Sequence, residues 1–178
     1  MDTFNIDQIE YGWFQAGVGE FTVMSSNVAE CDTPRELLEC AVRVFIENAP
    51  SGLVAWRGEP GAQIMRLSLD GMDARIEFWV SEEDAFTLGE SQEALEAARG
   101  EEIGCDSVSA VELLDALVSG FALYENGNGR ALYAAHWGDF PDAAYARLKA
   151  FALEISRRRE AKNEDAGLFC GTFLQQAE

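Results

Sequence analysis

Residues 53–80, LVAWRGEPGAQIMRLSLDGMDARIEFWV, decide the fold. Leu53 to Trp56 is an unbroken apolar run, the pattern of a strand buried on both faces. Glu59-Pro60-Gly61 follows, with proline at i+1 and glycine at i+2, the chemistry of a type II turn. Met65, Leu67 and Leu69 then alternate with Arg66 and Ser68, and after Asp70-Gly71 the alternation resumes at Ala74, Ile76, Phe78 and Val80. Three antiparallel strands joined by two tight turns are predicted. A two-residue loop at Asp70-Gly71 pairs Leu67 with Ala74; a four-residue loop pairs Leu67 with Ile76 and Arg66 with Glu77. A three-residue loop would set Leu67 opposite Arg75, which a common apolar face forbids.

Working outward, residues 8–25 read as a hairpin. Ile9, Tyr11 and Trp13 form one strand, Phe21 and Val23 the other, and Ala16-Gly17-Val18-Gly19 the turn. Thr33-Pro34-Arg35-Glu36 has the form of a capping box with proline at the first helical position. Leu37, Leu38, Ala41, Val42, Phe45 and Ile46 continue it as one apolar helix face, which Ala49-Pro50-Ser51-Gly52 ends. Beyond residue 80, Ser91 to Ala98 forms a short helix without a convincing apolar face, and Glu102 to Val108 a strand with Ile103 and Cys105 facing inward. Ser109-Ala110-Val111-Glu112 is a second capping box, opening a helix that ends at Asn126-Gly127-Asn128-Gly129. Residues 131–137 suggest a short helical turn. A last long helix starts at Phe140-Pro141-Asp142 and finishes at Arg157-Arg158-Arg159, cations suited to an electronegative helix end. The tail GLFCGTFLQQAE is apolar enough to add a strand or dock on the core.

The fold expected is α+β in one domain spanning 1–178, an antiparallel sheet of about five or six strands packed on one face by about three helices. Its order is β-β-α-β-β-β-β-α-α.

Composition bounds the function. With 32 acidic and 13 basic residues the net charge is −19, a field that repels phosphate backbones and anionic lipid, so nucleic-acid and membrane binding are disfavoured and basic partners are attracted. Cys31, Cys40, Cys105 and Cys170 are widely spaced and His136 is the lone histidine, so neither a zinc site nor a disulfide framework is expected. The N-terminus MDTFNIDQIEYG has no signal-peptide pattern and no long apolar run follows, which makes the cytoplasm the expected location.

No stretch carries a catalytic, cofactor or phosphate-binding signature. His136, three residues before Asp139, is better read as structural than as a base, since no nucleophile elbow accompanies it. The feature that stands out is residues 82–106, with nine acids against Arg99 alone, net −8. Its plain reading is a solvated loop; its functional reading is a surface for a basic protein. The partner-binding residues expected are Glu82, Glu83, Asp84, Glu101 and Glu102, with Trp79 and Phe86 as apolar anchors. Trp79 shares its strand face with Arg75 and Glu77, a face either exposed or covered by a helix. Calcium ligation is not expected, because the D-x-D-x-D-G spacing is missing.

Ser25-Ser26-Asn27 before a helix, the strand–Glu59-Pro60-Gly61–strand unit, and Tyr133, Trp137 and Phe140-Pro141 together resemble a family of small uncharacterised bacterial proteins over residues 20–155. In size, acidity and lack of catalytic residues the chain is also similar, as a class, to immunity proteins that neutralise toxin domains in the bacterial cytoplasm. That resemblance implies a non-catalytic protein-binding role with a toxin domain as partner. The alternative is a small-molecule enzyme or ligand carrier with a pocket between sheet and helices, using carboxylates or His136.

Overall fold

The computed structural model describes residues 4–10, 12–27, 31–58 and 61–174, with side chains described except at 7, 8, 10 and 160–174. The chain is α+β, with seven strands in two antiparallel sheets where one sheet of five or six was expected. β1 (Phe4–Glu10), β2 (Trp13–Val18) and β3 (Phe21–Ser26) form the first, in that order. β4 (Ser51–Arg57), β5 (Ala62–Asp70), β6 (Asp73–Ser81) and β7 (Arg99–Ser109) form the second. Five helices complete the described residues: α1 (Thr33–Ala41), α2 (Gln92–Ala97), α3 (Ala110–Ala122), α4 (Gly127–Trp137) and α5 (Asp142–Leu174).

The meander read from residues 53–80 is present. Leu67 pairs with Ile76 and Arg66 with Glu77, the second of the two registers the apolar face allows. Pairing continues to Asp70 and Asp73, so the connection shrinks to Gly71-Met72, with Gly71 at φ +63°. At the other turn Gly58 N–H donates to Gly61 C=O at 2.9 Å; Glu59 and Pro60 lie outside the described residues.

The N-terminal hairpin is corrected to three strands. The chain turns at Gly12 (φ +75°) and again at Gly19-Glu20, and Ala16 and Val18, expected in a turn, are buried strand residues. The reversal falls where glycine can take a positive φ, whereas Gly17 stays extended opposite Thr22.

β4 is buried on both faces, as its sequence requires, and among the described residues it has no strand partner on the side away from β5. Three side chains from remote segments satisfy that edge instead. The Gln92 amide accepts from Leu53 N–H at 2.7 Å and donates to its C=O at 2.9 Å. The Thr33 hydroxyl donates to Ala55 C=O at 3.1 Å. Ser25 Oγ donates to Arg57 C=O at 3.0 Å and accepts its N–H at 3.1 Å. A bare strand edge is a template for unwanted pairing, and here it is closed every second residue. This recruitment corrects the capping reading: Thr33 is spent on β4, and Asp32 caps α1, accepting from Arg35 N–H at 3.0 Å. The buried Tyr133 hydroxyl donates to the same carboxylate at 2.9 Å, and burial followed by that negative charge drives the Tyr133 pKa well up. At α3, Ser109 stands at the cap without a side-chain bond to the helix.

The main core lies between the second sheet, the first sheet and the helices. Phe14 stacks on Trp56 at 4.8 Å and meets Trp137 edge-on at 6.4 Å; Phe140 contacts Tyr133 and Tyr145 at 5.3 and 5.4 Å. β7 presents the opposite face to the one expected. Ile103 and Cys105 are exposed, while Gly104 and Val108 face inward, and a Cβ at Gly104 would stand 2.4 Å from the Phe21 ring. The ring occupies the volume a side chain would have claimed, so sheet packing and not the hydrophobicity of Ile103 selects the face. The 131–137 turn is a whole helix, α4, and α5 runs past Arg159 through Leu174, so the described part of the tail is helical in place of the strand considered.

Candidate protein-binding surface

Residues 82–98 cross the outer face of β4 and β5 as a fastened lid. Leu53, Ala55, Ala62 and Ile64 of the sheet and Ala85, Leu88, Leu95 and Ala98 of the crossing segment make a second, smaller core. Burying Leu88 and Leu95 stabilises the lid by roughly 1.5–3 kcal/mol each. The solvated-loop reading is thereby corrected: the apolar residues recur close to helical spacing, but Gly89-Glu90-Ser91 interrupts them, and that break hides the face from a periodicity search.

Local hydrogen bonds shape the lid. Ser81 Oγ accepts from Glu83 N–H at 3.1 Å, and Asp84 Oδ1 accepts from Phe86 and Thr87 N–H at 2.8 and 3.1 Å, an Asx turn. Ser91 caps α2 through Ala94 N–H at 3.1 Å. Gln92 holds the lid to β4, and Arg57, 2 % exposed, reaches Leu88 C=O at 3.3 Å through Nη2 while Nη1 pairs with Glu36 at 3.2 Å. Neither the Gln92 nor the Arg57 fastening stood out in the sequence, since each joins residues more than twenty positions apart.

Burying the apolar side puts the charge outside. Glu82, Glu83, Asp84, Glu90, Glu93, Glu96, Glu101 and Glu102 are all exposed. Glu82 N–H donates to Ala98 C=O at 2.9 Å and Ser81 pairs with Arg99, so Glu82-Glu83-Asp84 and Glu101-Glu102 emerge from one end of the β6–β7 ladder. The single base of the segment, Arg99, is engaged by Glu96. Of the two aromatic anchors, Phe86 is 67 % exposed and Trp79 only 7 %. Trp79 does lie on the outer face with Arg75 and Glu77, but arginines cover it where a helix was considered: the guanidinium carbons of Arg66 and Arg99 stand 5.1 and 4.5 Å from its ring centroid. Glu77, 4 % exposed, is held between Arg66 at 2.6 Å and Arg75 at 3.2 Å. Trp79 is thus part of the frame under the acidic surface, and Phe86 is the aromatic on it.

The other singled-out residues lie elsewhere. His136 is in the last turn of α4, where its backbone carbonyl accepts from the Asn27 amide at 2.7 Å; the Asp139 carbonyl accepts from Arg35. Cys31, Cys40 and Cys105 are free thiols, and burial pushes Cys40 up to about 12. Among the described residues no group of three or more His, Cys, Asp or Glu could hold a metal ion, and no helix is long and apolar enough to cross a membrane.

Glu36 carries a pH signature. Burial raises its pKa above the ordinary carboxylate value, and the Arg57 charge opposes the shift without cancelling it. A carboxylate with a raised folded pKa binds its proton more tightly in the native state, so its share of stability falls as pH rises from the unfolded to the folded value. Glu36→Gln is expected to flatten that part of the stability-versus-pH curve, as read by urea denaturation across a buffer series. An unchanged slope would remove Glu36 as its source.

Comparison with family models, with curated proteins and with solved structures finds no match. The family likeness therefore rests on the motif residues alone, and those whose side chains are described serve the fold: Ser25 closes β4, and Tyr133, Trp137 and Phe140 pack in the core.

Proposed function

We propose that this chain is a non-catalytic, acidic protein-binding module, most concretely a bacterial immunity protein that neutralises a basic toxin domain. The observation that carries the reading is the fastened lid: six carboxylates and Phe86 are displayed by a segment whose other side is a packed core, with Glu101 and Glu102 exposed on the adjoining β7. A surface held in place in this way loses little conformational entropy when a partner docks. Carboxylates steer a cationic partner toward it, and Phe86 offers the apolar contact that charge alone lacks. The space between sheet and helices, where the small-molecule reading places its pocket, is filled by Phe14, Trp56, Phe121 and Tyr133, each at 0 % exposure.

The test is co-expression with a cationic domain encoded beside this chain's gene. A one-to-one complex on size exclusion that dissociates at high salt, together with loss of the partner's toxicity, is the expected result. A neighbourhood of metabolic enzymes and no complex with any basic neighbour would overturn it.

A further inference from the structure

The second sheet has two edges, and the chain treats them differently. β4 is closed by the side chains of Gln92, Thr33 and Ser25. β7 forms the other edge, with no strand beyond it among the described residues. One bond fixes which of its backbone groups point outward. Met72 stands opposite Ala110, one step past the Asp73–Ser109 pair, and Ala110 N–H donates to Met72 C=O at 2.9 Å. An antiparallel ladder alternates bonded and non-bonded pairs, so Val108, Asp106 and Gly104 bond β6, while the N–H and C=O of Ser107 and Cys105 point away from it. Ser107 N–H agrees, since it donates to Asp106 Oδ1 at 2.7 Å. Beyond Cys105, Ile103 is the extra residue of a bulge, because Gly104 pairs with Phe78 and Glu102 with Trp79.

This edge is accessible and acidic. Glu101, Glu102, Ile103, Cys105 and Ser107 are exposed. Asp106 adds a third carboxylate, and the strand's one base, Arg99, is engaged by Glu96. Arg75, paired with Ser107 on β6, is held by Glu77. An edge with outward N–H and C=O groups accepts an extended segment through main-chain bonds, and its flanking side chains select which segment. A second copy of this chain would set carboxylates and a net charge of −19 against the same edge. A strand carrying lysine or arginine offers the opposite sign across the pair.

We infer that the proposed basic partner docks by adding a cationic strand to the outer edge of β7, with main-chain bonds to Cys105 and its basic side chains beside Glu101, Glu102 and Asp106. This rests on the protein-binding reading above and deepens it. The acids bring the partner in, and the strand edge sets its register.

The experiment titrates the ¹⁵N-labelled full chain with acetyl-Lys-Val-Lys-Val-Lys-Val-Lys-amide. The control is acetyl-Lys-Pro-Lys-Pro-Lys-Pro-Lys-amide, which has the same charge but lacks the donors and backbone geometry of a strand. The valine peptide is expected to bind with a dissociation constant on the order of 0.1 mM that weakens with salt. At tenfold excess over that constant it should slow amide exchange at Cys105 by about tenfold. The proline peptide should bind at least about tenfold more weakly. Cys105→Pro removes only an outward N–H, a position where an edge strand tolerates proline. It should weaken the valine peptide by a similar factor, and Cys105→Ala should bind it as the parent does. The exchange reading and the two-peptide comparison hold whether or not Cys105→Pro folds. Equal, salt-sensitive binding of both peptides without slower exchange at Cys105 would overturn the inference and leave the acidic surface standing. Binding of neither peptide would remove both. Exchange at Cys105 that slows with protein concentration alone would assign the edge to a second copy and overturn the cationic strand.

Discussion

Reversing the charges at Glu82, Glu83, Glu101 and Glu102 to lysine is expected to lower the association rate with the proposed basic partner by ~10- to 1,000-fold at low salt. These four carboxylates are exposed at one end of the β6–β7 ladder, and among the described residues none of them forms a salt bridge. Their field therefore reaches solvent, and screening by salt should shrink the difference between parent and variant as the Debye length contracts toward ~8 Å near physiological ionic strength. Dissociation should respond less, because rim charges act mainly on encounter. Phe86→Ala is the complementary change: it removes an apolar contact and should raise the dissociation rate while leaving the salt dependence of association intact. Stopped-flow kinetics over a salt series separates the two. If the reversed variant associates at the parent rate at every salt concentration, the acids are solvent-facing only and the binding surface lies elsewhere.

Arg57→Leu is expected to destabilise the fold by about 3 kcal/mol, the lower end of the range for breaking a buried ion pair, because Glu36 keeps 27 % side-chain exposure. The loss has two parts. Glu36 is left partly buried without its cation, and the lid loses the donor that Nη2 extends to Leu88 C=O. Leucine occupies much of the arginine stem's volume, so the change reports on the charge and its hydrogen bonds more than on a cavity. Urea denaturation measures the global loss. Amide exchange should show residues 82–98 opening first, at a free energy below that of the sheet. A variant within about 0.5 kcal/mol of the parent, with unaltered exchange in the lid, would show that Leu88 and Leu95 alone hold it, a change no larger than ordinary surface substitutions produce.

The central meander is written in the sequence because its information is local. Alternation at Met65, Leu67, Ala74, Ile76 and Phe78 allows only registers that keep one face apolar, and glycine at 71 supplies the positive φ the turn needs. The helices at 33–46 and 110–122 are legible for the same reason, apolar residues recurring once per turn, although Val42–Ile46 winds as a π-helical turn. The acidity of 82–106 is likewise plain from composition, and so is the candidate surface it suggests.

What the tertiary structure decided are the choices between groups with equivalent local prospects. Thr33 and Asp32 can both cap α1, and only the unpaired edge of β4, over twenty residues away, claims Thr33 and leaves the cap to Asp32. Ile103 and Gly104 can each face inward, and the Phe21 ring settles it in favour of the glycine. Residues 82–98 become a lid because β4 and β5 carry a second apolar face that must leave water, and no pattern within the segment announces that demand. The division into two sheets arises because Ser25, Thr33 and Gln92 side chains take the backbone partners a neighbouring strand would have used. Periodicity records which face a segment buries; it holds no record of which distant donor will complete a strand edge, and that is fixed only when the chain closes on itself.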